Sequence, residues 1–226
     1  MHIGLIGGIG PAATIFYYRG LAARHAIAGS VLDLTIANAD VRQLASNVAN
    51  GNTRKQAEIF ANLTERLAAA GAKAVGVTSM AGHFCIDEFK AISPLPIIDA
   101  RPSIGAAIRT RNLKRVGVIG TRAVMDSKFY GAIESAEIVV PQGAAFDQVH
   151  CSYIEMASTG RVSDEKRELF FSAGRDLCRK QGAEAVLLGG TDLFLAFHGR
   201  DPGYPVIDCA EIHIEALYEK TLPQSL

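Results

Sequence analysis

The sequence has no tryptophan, and it has no excess of either charge, since 23 basic residues balance 23 acidic ones. Without a basic cluster the chain lacks the electrostatic footprint of a nucleic-acid-binding protein, which excludes nucleic acid as its main partner. No apolar run approaches the roughly 20 residues that a helix needs to cross a bilayer, so a membrane protein is not expected. The chain runs from Met1 straight into a strand pattern with no charged leader, which predicts a cytoplasmic protein.

Metal and redox motifs are missing as well. Cys85, Cys151, Cys178 and Cys209 lie far apart and form no C-x-x-C pair, which argues against a disulfide framework and against a metal site. We expect reduced thiols, most of them packed as small hydrophobic side chains. The glycine-rich segment near the N-terminus contains no G-x-G-x-x-G, so its spacing does not predict a dinucleotide site.

What the chain does contain is repetition. Residues 71–80 read GAKAVGVTSM and residues 182–191 read GAEAVLLGGT. Each is a short apolar run that stops at small or polar residues, which is typical of a buried parallel strand ending in a functional loop. Residues 3–8 (IGLIGG) and 116–121 (VGVIGT) form a second pair. The pairs predict an internal duplication.

Strand patterns alternate with helical patterns along both halves, which predicts parallel sheets covered by helices on both faces. The fold class we expect is α/β, with two pseudo-symmetric domains and a ligand cleft between them. One domain is predicted at residues 1–100, completed by a returning helix at 210–226, and the second, its internal duplicate, at residues 101–209.

The predicted element boundaries are as follows. We expect helices over residues 11–28, 53–70, 163–180 and 210–217, and short strands at residues 95–100 and 204–209. The match of Phe129 and Tyr130 to Phe16 and Tyr17 predicts that the first helix is repeated after residue 121.

Ligands of open parallel sheets bind beyond the carboxyl ends of the strands, so the polar residues at those ends are the candidates. The hydroxyls of Thr78, Ser79 and Thr121 lie beside backbone amides, where they either cradle a carboxylate or cap the following helix. His83, one helical turn after Ser79, is either a site residue or a histidine bonded to a carbonyl. Asp192 is either an N-cap or an acid/base group.

Two further kinds of charged residue follow strands. Arg42 is the one cation near the end of the strand predicted at residues 32–38, where it either pairs a substrate carboxylate or is simply solvated. Asp99 and Asp208 end equivalent strands, and their symmetry predicts a shared structural task, the binding of loop amides.

Residues 3–11 (IGLIGGIGP), followed by Tyr17-Tyr18-Arg19, resemble the start of the aspartate/glutamate racemases, and the match continues through residues 120–130 and 205–213. The resemblance implies two pseudo-symmetric α/β domains, a homodimer and catalysis without pyridoxal phosphate or another cofactor. It implies a small substrate, an acidic amino acid or related carboxylate. Two cysteines, one in each half, would remove the Cα proton and deliver one to the opposite face.

The chain departs from the family at both cysteines. Where the family has a Cys-Asn-Thr-Ala-His type motif, residues 79–83 read SMAGH, so Ser79 takes the place of the thiol, with Thr78 at the margin of that position. Where the family has Gly-Cys-Thr-Glu, residues 189–192 read GGTD, so Gly190 takes the second place. A thiol has a pKa near ~8.5, whereas an alcohol is a far weaker acid and glycine has no side chain. Two-thiol racemisation is therefore not available to this sequence.

The resemblance also implies a set of substrate-binding positions. Of the family's two basic residues, Arg42 matches one loosely and Ser158 stands at the other. The catalytic candidates are Ser79, Thr78, Asp192 and His83, with Gly190 at the second cysteine position. The substrate-binding candidates are Gly10, Asn38, Arg42, Thr121, Tyr130 and Thr191.

Several functions remain open at this point. The chain is a racemase-like enzyme with replaced catalytic groups, a one-sided carbon-acid enzyme such as a decarboxylase, lyase or isomerase, or an inactive homologue that binds a carboxylate. A design origin for the missing cysteines is a further alternative. Cys209, at the end of another predicted strand, is a minor candidate for a substitute base.

Overall fold

The computed structural model describes residues 1–222, which fold as two compact units. Unit 1 comprises residues 1–100 and the chain from His213 onward, and unit 2 comprises Arg101–Ile212. The chain passes into unit 2 at the start of one helix and returns inside the last one. Within residues 1–222, no helix is long and apolar enough to cross a bilayer.

Unit 1 is built on a parallel sheet in the order β2-β1-β3, extended beyond β3 by one parallel bridge between Val75 and Ile97. Its strands are β1 (Ile3–Gly7), β2 (Leu34–Asn38) and β3 (Ala74–Val77). Its helices are α1 (Pro11–Ile27), α2 (Val41–Ala49), α3 (Thr53–Ala69) and α4 (Ile86–Ile92), with a 3₁₀ turn at Ala81–Cys85.

Unit 2 carries a parallel sheet in the order β5-β4-β6-β7. Its strands are β4 (Arg115–Ile119), β5 (Glu137–Val139), β6 (Ala185–Leu188) and β7 (Val206–Asp208). The helices of this part of the chain are α5 (Ala100–Thr110), α6 (Arg122–Asp126), α7 (Ala144–Thr159), α8 (Asp164–Gln181), α9 (Phe194–Phe197) and α10 (Cys209–Thr221), with a 3₁₀ turn at Thr191–Leu193.

The central strands are buried on both faces, which is why they are continuously apolar rather than alternating. Every residue of β1, β3 and β6 is buried. Phe60 and Leu67 of α3 pack on the unit 1 sheet, and Phe170 and Leu177 of α8 pack on the unit 2 sheet. The α/β class and the parallel sheets flanked by helices are therefore confirmed.

Three long helices begin and end within two residues of the predicted bounds, and α10 runs four residues past its predicted end, to Thr221. The strand predicted at residues 95–100 is reduced to the single bridge at Ile97. Pro96 supplies no amide to a ladder, which limits pairing there.

The prediction that the first helix is repeated after residue 121 is wrong. Helix α6 ends at Asp126, and Lys128, Phe129 and Tyr130 follow with φ of 49°, 60° and 57°. The hydroxyl of Ser127 donates to the carbonyl of Ala123 at 2.6 Å and accepts from the amide of Tyr130 at 3.0 Å. A serine side chain that bonds backbone groups in this way competes with the helix ladder, so the chain turns instead of continuing.

Candidate active site

The ends of β1 and β3 in unit 1 are joined by two threonine hydroxyls. The amide of Gly8 donates to Thr14 Oγ1 at 2.9 Å, and Thr14 Oγ1 lies 3.2 Å from Thr78 Oγ1. The Thr78 hydroxyl donates in turn to the carbonyl of Ile6 at 3.2 Å. Since that proton is engaged, Thr14 donates either to Thr78 or to the carbonyl of Gly10, which lies 3.2 Å away. Thr14 was not predicted as part of the site, because a helix threonine on its own carries no functional signal.

Ser79, at the first predicted thiol position, is nearly buried, with 4% of its surface exposed. Its carbonyl accepts a hydrogen bond from His83 Nδ1 at 2.8 Å. A carbonyl only accepts, so Nδ1 carries the proton and Nε2 is the nitrogen that gains or loses one. His83 Nε2 lies 3.8 Å from the Asp99 carboxylate, which also pairs with Lys90 Nζ at 2.7 Å. His83 therefore matches the alternative of a histidine bonded to a carbonyl, and its second ring nitrogen faces the carboxylate of Asp99.

A second histidine, His213 of α10, lies beside this pair, with its ring centroid 5.9 Å from that of His83. Its Nε2 donates to the carbonyl of Ile98 at 2.8 Å, and its Nδ1 accepts from the Tyr17 hydroxyl at 3.0 Å. Burial, and then the nearby His83, lowers the pKa of His213 to about 3. His213 is therefore neutral at physiological pH, and it ties α10 to the segment that precedes α5.

The remaining candidates of unit 1 lie near the surface or at the start of α1. Gly10 precedes Pro11 with φ 89°, and its carbonyl accepts the first helical amide, that of Thr14, at 3.1 Å. Asn38 is exposed, and its side-chain amide donates to the carbonyl of Ala39 at 3.0 Å. The side chain of Arg42 is 89% exposed and pairs with Asp40 at 3.2 Å, a hydrogen bond that lowers the pKa of Asp40. Arg42 thus matches the solvated alternative.

In unit 2 the ends of β4 and β6 lie side by side, because the amide of Gly189 donates to the carbonyl of Ile119 at 2.8 Å. Thr121 follows β4 and caps α6, with its hydroxyl oxygen accepting from the amide of Val124 at 3.4 Å. Thr191 follows β6 and is fully buried. Tyr130 lies in the left-handed turn after α6.

Gly190, at the second predicted thiol position, faces the ring of Tyr153 from α7. A Cβ placed on Gly190 would lie 2.2 Å from Tyr153 Cε2, 2.6 Å from Cζ and 2.7 Å from the hydroxyl oxygen. Tyr153 is 4% exposed, so its ring has little room to move aside. The space that a side chain at position 190 would need is therefore filled from a neighbouring helix.

The hydroxyl of Tyr153 donates to Asp192 Oδ2 at 3.2 Å, and the amide of Asp192 lies 3.5 Å from the same hydroxyl. Burial, and then the charge of Asp192, raises the pKa of Tyr153 well above its usual value. Asp192 is itself buried and lies inside the 3₁₀ turn rather than at its N-cap, which is Gly190. Sequence reasoning missed Tyr153, because an aromatic residue on the apolar face of a helix looks like core.

The four cysteines differ in burial and in the pKa of their thiols. Burial raises the pKa of Cys85 to about 12, and it raises the pKa of Cys178 as well. Burial, and then Asp208, raises the pKa of Cys209 well above its usual value, which argues against the substitute-base role. Cys151 is exposed.

The two strand-end aspartates have different partners. Asp208 accepts the amides of Ala210 and Glu211 at 2.8 and 3.4 Å, and so binds the first turn of α10. Burial raises the pKa of Asp208 to about 6. Asp99 holds the side chains of Lys90 and His83, as described above. Among residues 1–222, no group of three or more His, Cys, Asp or Glu side chains is arranged to hold a metal ion.

Comparison with known proteins places these features in a family. Residues 6–217 match the family model described as Asp/Glu/Hydantoin racemase. The chain belongs to this racemase family.

Among named relatives, glutamate racemase of Sulfurihydrogenibium sp. (strain YO3AOP1) is 23% identical over 141 residues, which cover 61% of this chain and 54% of the relative. The match thus spans about half the length of that relative. A candidate Asp/Glu racemase from Yersinia pestis, known from its crystal structure, is 26% identical, with a TM-score of 0.83 and 99% and 100% of the two chains covered.

A third protein, the glutamate racemase from Francisella tularensis subsp. tularensis SCHU S4, was solved in complex with D-glutamate. It is 17% identical, with a TM-score of 0.70 and 100% of this chain and 84% of that one covered. At this identity the likeness shows the fold. These racemases therefore share the α/β architecture of this chain.

Proposed function

We propose that the chain is a cofactor-independent enzyme that acts at the Cα of an acidic amino acid or a related carboxylate, with proton-transfer groups other than two thiols. The observation that carries the proposal is the burial of polar side chains at the ends of β3 and β6 in a racemase-family fold. Burying polar groups costs free energy unless they have partners, so such groups are retained where they have a task. Five of them are at most 4% exposed: Thr78, Ser79, His83, Thr191 and Asp192.

Hydroxyls at these strand ends suit a carboxylate ligand. Within residues 1–222 the Ser79 hydroxyl has no hydrogen bond, so both its proton and its lone pairs are available. Thr121 accepts a bond from Val124, which leaves its own proton to donate. Hydrogen bonds from hydroxyls to a carboxylate are charge-assisted and stronger than neutral ones. We propose that Ser79 in unit 1 is such a donor, as are Thr121 and Thr191 in unit 2, while Thr78, whose proton is bonded to the carbonyl of Ile6, holds the end of β3 in place.

Proton transfer then falls to His83, to Asp192 or to a water held by Ser79. His83 has the geometry of a general base, because Nδ1 is anchored on the Ser79 carbonyl and Nε2 lies 3.8 Å from the Asp99 carboxylate. We also propose that the chain forms a homodimer, as the family resemblance implies. Sedimentation of the purified chain would test the dimer.

The test is exchange at Cα, followed by NMR in D₂O with each enantiomer of aspartate and of glutamate. We expect loss of the Cα proton signal together with growth of the opposite enantiomer. The same protein after thermal unfolding is the control. Exchange of the Cα proton with retention of configuration, or loss of the carboxylate of the substrate, would instead indicate a one-sided enzyme. Saturable binding without exchange would indicate a binding homologue. If none of the four amino acids exchanged or bound, acidic amino acids would be removed as substrates.

A further inference from the structure

We propose that the phenol of Tyr153, paired with Asp192, is the proton-transfer group that unit 2 supplies in place of a thiol at position 190. This inference rests on the proposed function. It names a group that the comparison with the family's cysteine motif does not reveal, because Tyr153 lies on α7, far along the chain from Gly190.

The first argument is the position of the phenol. A Cβ on Gly190 would lie 2.7 Å from the Tyr153 hydroxyl oxygen, which is within the reach of a cysteine side chain at that position. The absence of a side chain at position 190 leaves room for the ring of Tyr153. Tyr153 in turn brings its hydroxyl oxygen close to where a side chain at position 190 would lie.

The second argument is the partner of the phenol. The acceptor of the buried Tyr153 hydroxyl is itself ionisable, because Tyr153 donates to Asp192 Oδ2 at 3.2 Å. Asp192 is 2% exposed, and a carboxylate this deeply buried costs free energy unless hydrogen bonds compensate it. The thiol of Cys209 also acts electrostatically on the phenol, and burial keeps that thiol protonated. Tyr153 and Asp192 thus form one buried acid/base pair.

The third argument is chemical. At physiological pH the raised pKa keeps Tyr153 protonated, so the phenol acts as a proton donor. In the forward step the O–H bond breaks, a C–H bond forms at the Cα carbanion, and the negative charge remains on the phenolate, which regains a proton from water. In the reverse step the phenol first gives its proton to water, and the phenolate then takes the Cα proton while the electron pair of that C–H bond stays on carbon. Tyrosine is among the side chains that serve as positioned acids and bases.

The experiment compares Tyr153→Phe with wild type in the Cα exchange assay, using both enantiomers of aspartate and glutamate. Phenylalanine keeps the ring beside Gly190 and removes only the hydroxyl. We expect the exchange rate to fall by about 100-fold or more, the usual effect of losing a positioned acid or base. The matched control is Tyr204→Phe, which removes a hydroxyl of the same unit that lies 3.5 Å from the carbonyl of Phe170. This control should exchange at the wild-type rate.

A second readout separates proton transfer from a structural role. Site-specific replacement of Tyr153 by a ring-fluorinated tyrosine makes the phenol more acidic without changing its shape much. For the enantiomer whose conversion takes a proton from Tyr153 to Cα, we expect the alkaline fall of kcat/KM to move to lower pH, because that direction requires a protonated phenol. A tyrosine that merely packed would leave the alkaline limb in place.

The outcomes are distinct. Wild-type exchange together with an unchanged rate in Tyr153→Phe would overturn this inference and leave the proposed function standing. If the fluorinated tyrosine left the alkaline fall of kcat/KM at its wild-type pH, the inference would also be overturned. No exchange by the wild-type protein with any of the four amino acids would overturn the proposed function, and this inference with it.

Discussion

The ends of β3 and β6 can be compared directly, because each strand pairs with the first strand of its own unit, β1 in unit 1 and β4 in unit 2. At the end of β3 the chain keeps a small side chain, Ser79, with its hydroxyl available. At the end of β6 it keeps none, and Tyr153 occupies the space beside Gly190. The space at the two strand ends is therefore filled differently, by the side chain of residue 79 itself in unit 1 and by a side chain from a neighbouring helix in unit 2.

The buried ionisable groups differ between the units in the same manner. Unit 1 buries an imidazole, His213, which is kept neutral because its pKa is lowered to about 3. Unit 2 contains a half-buried carboxylate, Asp208, whose pKa is raised to about 6. A base with a lowered pKa and an acid with a raised pKa change the free energy of unfolding in opposite directions as the pH changes. Titration therefore distinguishes the contributions of His213 and Asp208.

The largest effect we expect comes from His213. Its pKa is lowered from 6.5 to about 3, so its contribution to the free energy of unfolding is present above pH 6.5 and is lost as the pH falls through 3. At pH 3.5 the loss should reach about 4 kcal/mol. His213→Gln cannot titrate and should lack this slope, whereas His198→Gln, on an exposed loop residue, should keep it. Urea unfolding at several pH values measures both, and equal slopes in wild type and His213→Gln would contradict the assignment.

The next effect contrasts the two strand ends. Gly190→Ala places a methyl group 2.2 Å from a ring atom of Tyr153, and overpacking of this kind costs about 1–3 kcal/mol. Ser79→Cys exchanges one small side chain for another and should change the free energy of unfolding by less than about 1 kcal/mol. Denaturant unfolding of both variants provides the test. If Gly190→Ala were as stable as wild type, Tyr153 would not occupy the space beside position 190.

Asp208 should produce a smaller effect of the opposite sign to that of His213. Its pKa is raised from 3.8 to about 6, so its contribution is present below pH 3.8 and is lost as the pH rises through 6. The penalty at neutral pH is roughly 2–3 kcal/mol. Asp208→Asn keeps an oxygen to accept the amides of Ala210 and Glu211 and should remove this pH dependence. The comparison of unfolding at pH 4 and pH 7 measures it, and a variant that is less stable than wild type only at pH 7 would contradict the prediction.

The smallest effect concerns Thr121, which serves as a cap in the structure and as a carboxylate donor in the proposal. Thr121→Ala should cost about 1 kcal/mol of stability, the usual effect of losing an N-cap side chain. Thr121→Ser restores the cap and should restore both stability and ligand affinity. If Thr121→Ala lost stability but bound and exchanged the substrate as well as wild type did, Thr121 would be a cap and not a ligand.

The fold could be predicted from the sequence largely because buried parallel strands leave a strong apolar signal. The repeated segments at residues 71–80 and 182–191 contain β3 and β6, as expected. The turn after α6 could not be predicted, because it depends on the bonds made by the Ser127 hydroxyl rather than on apolar periodicity.

The candidate site was only half visible in the sequence. Ser79 and Gly190 stand out because a family motif changes at each of them, but the residues that complete their surroundings are distant in the chain. Tyr153 and His213 carry no local signal that separates them from ordinary core residues. Their importance comes from close approach and hydrogen bonding to Gly190, Asp192 and Ile98, which only the folded chain reveals.

The central claim is that the chemistry requires no thiol, and a cysteine-free chain tests it most directly. The variant carries Cys85→Ala, Cys151→Ser, Cys178→Ala and Cys209→Ala, with its folding checked by circular dichroism and thermal melting. The account predicts Cα exchange of the acidic amino acid in D₂O at close to the wild-type rate. A folded cysteine-free protein that had lost exchange, while the wild-type protein retained it, would contradict the account.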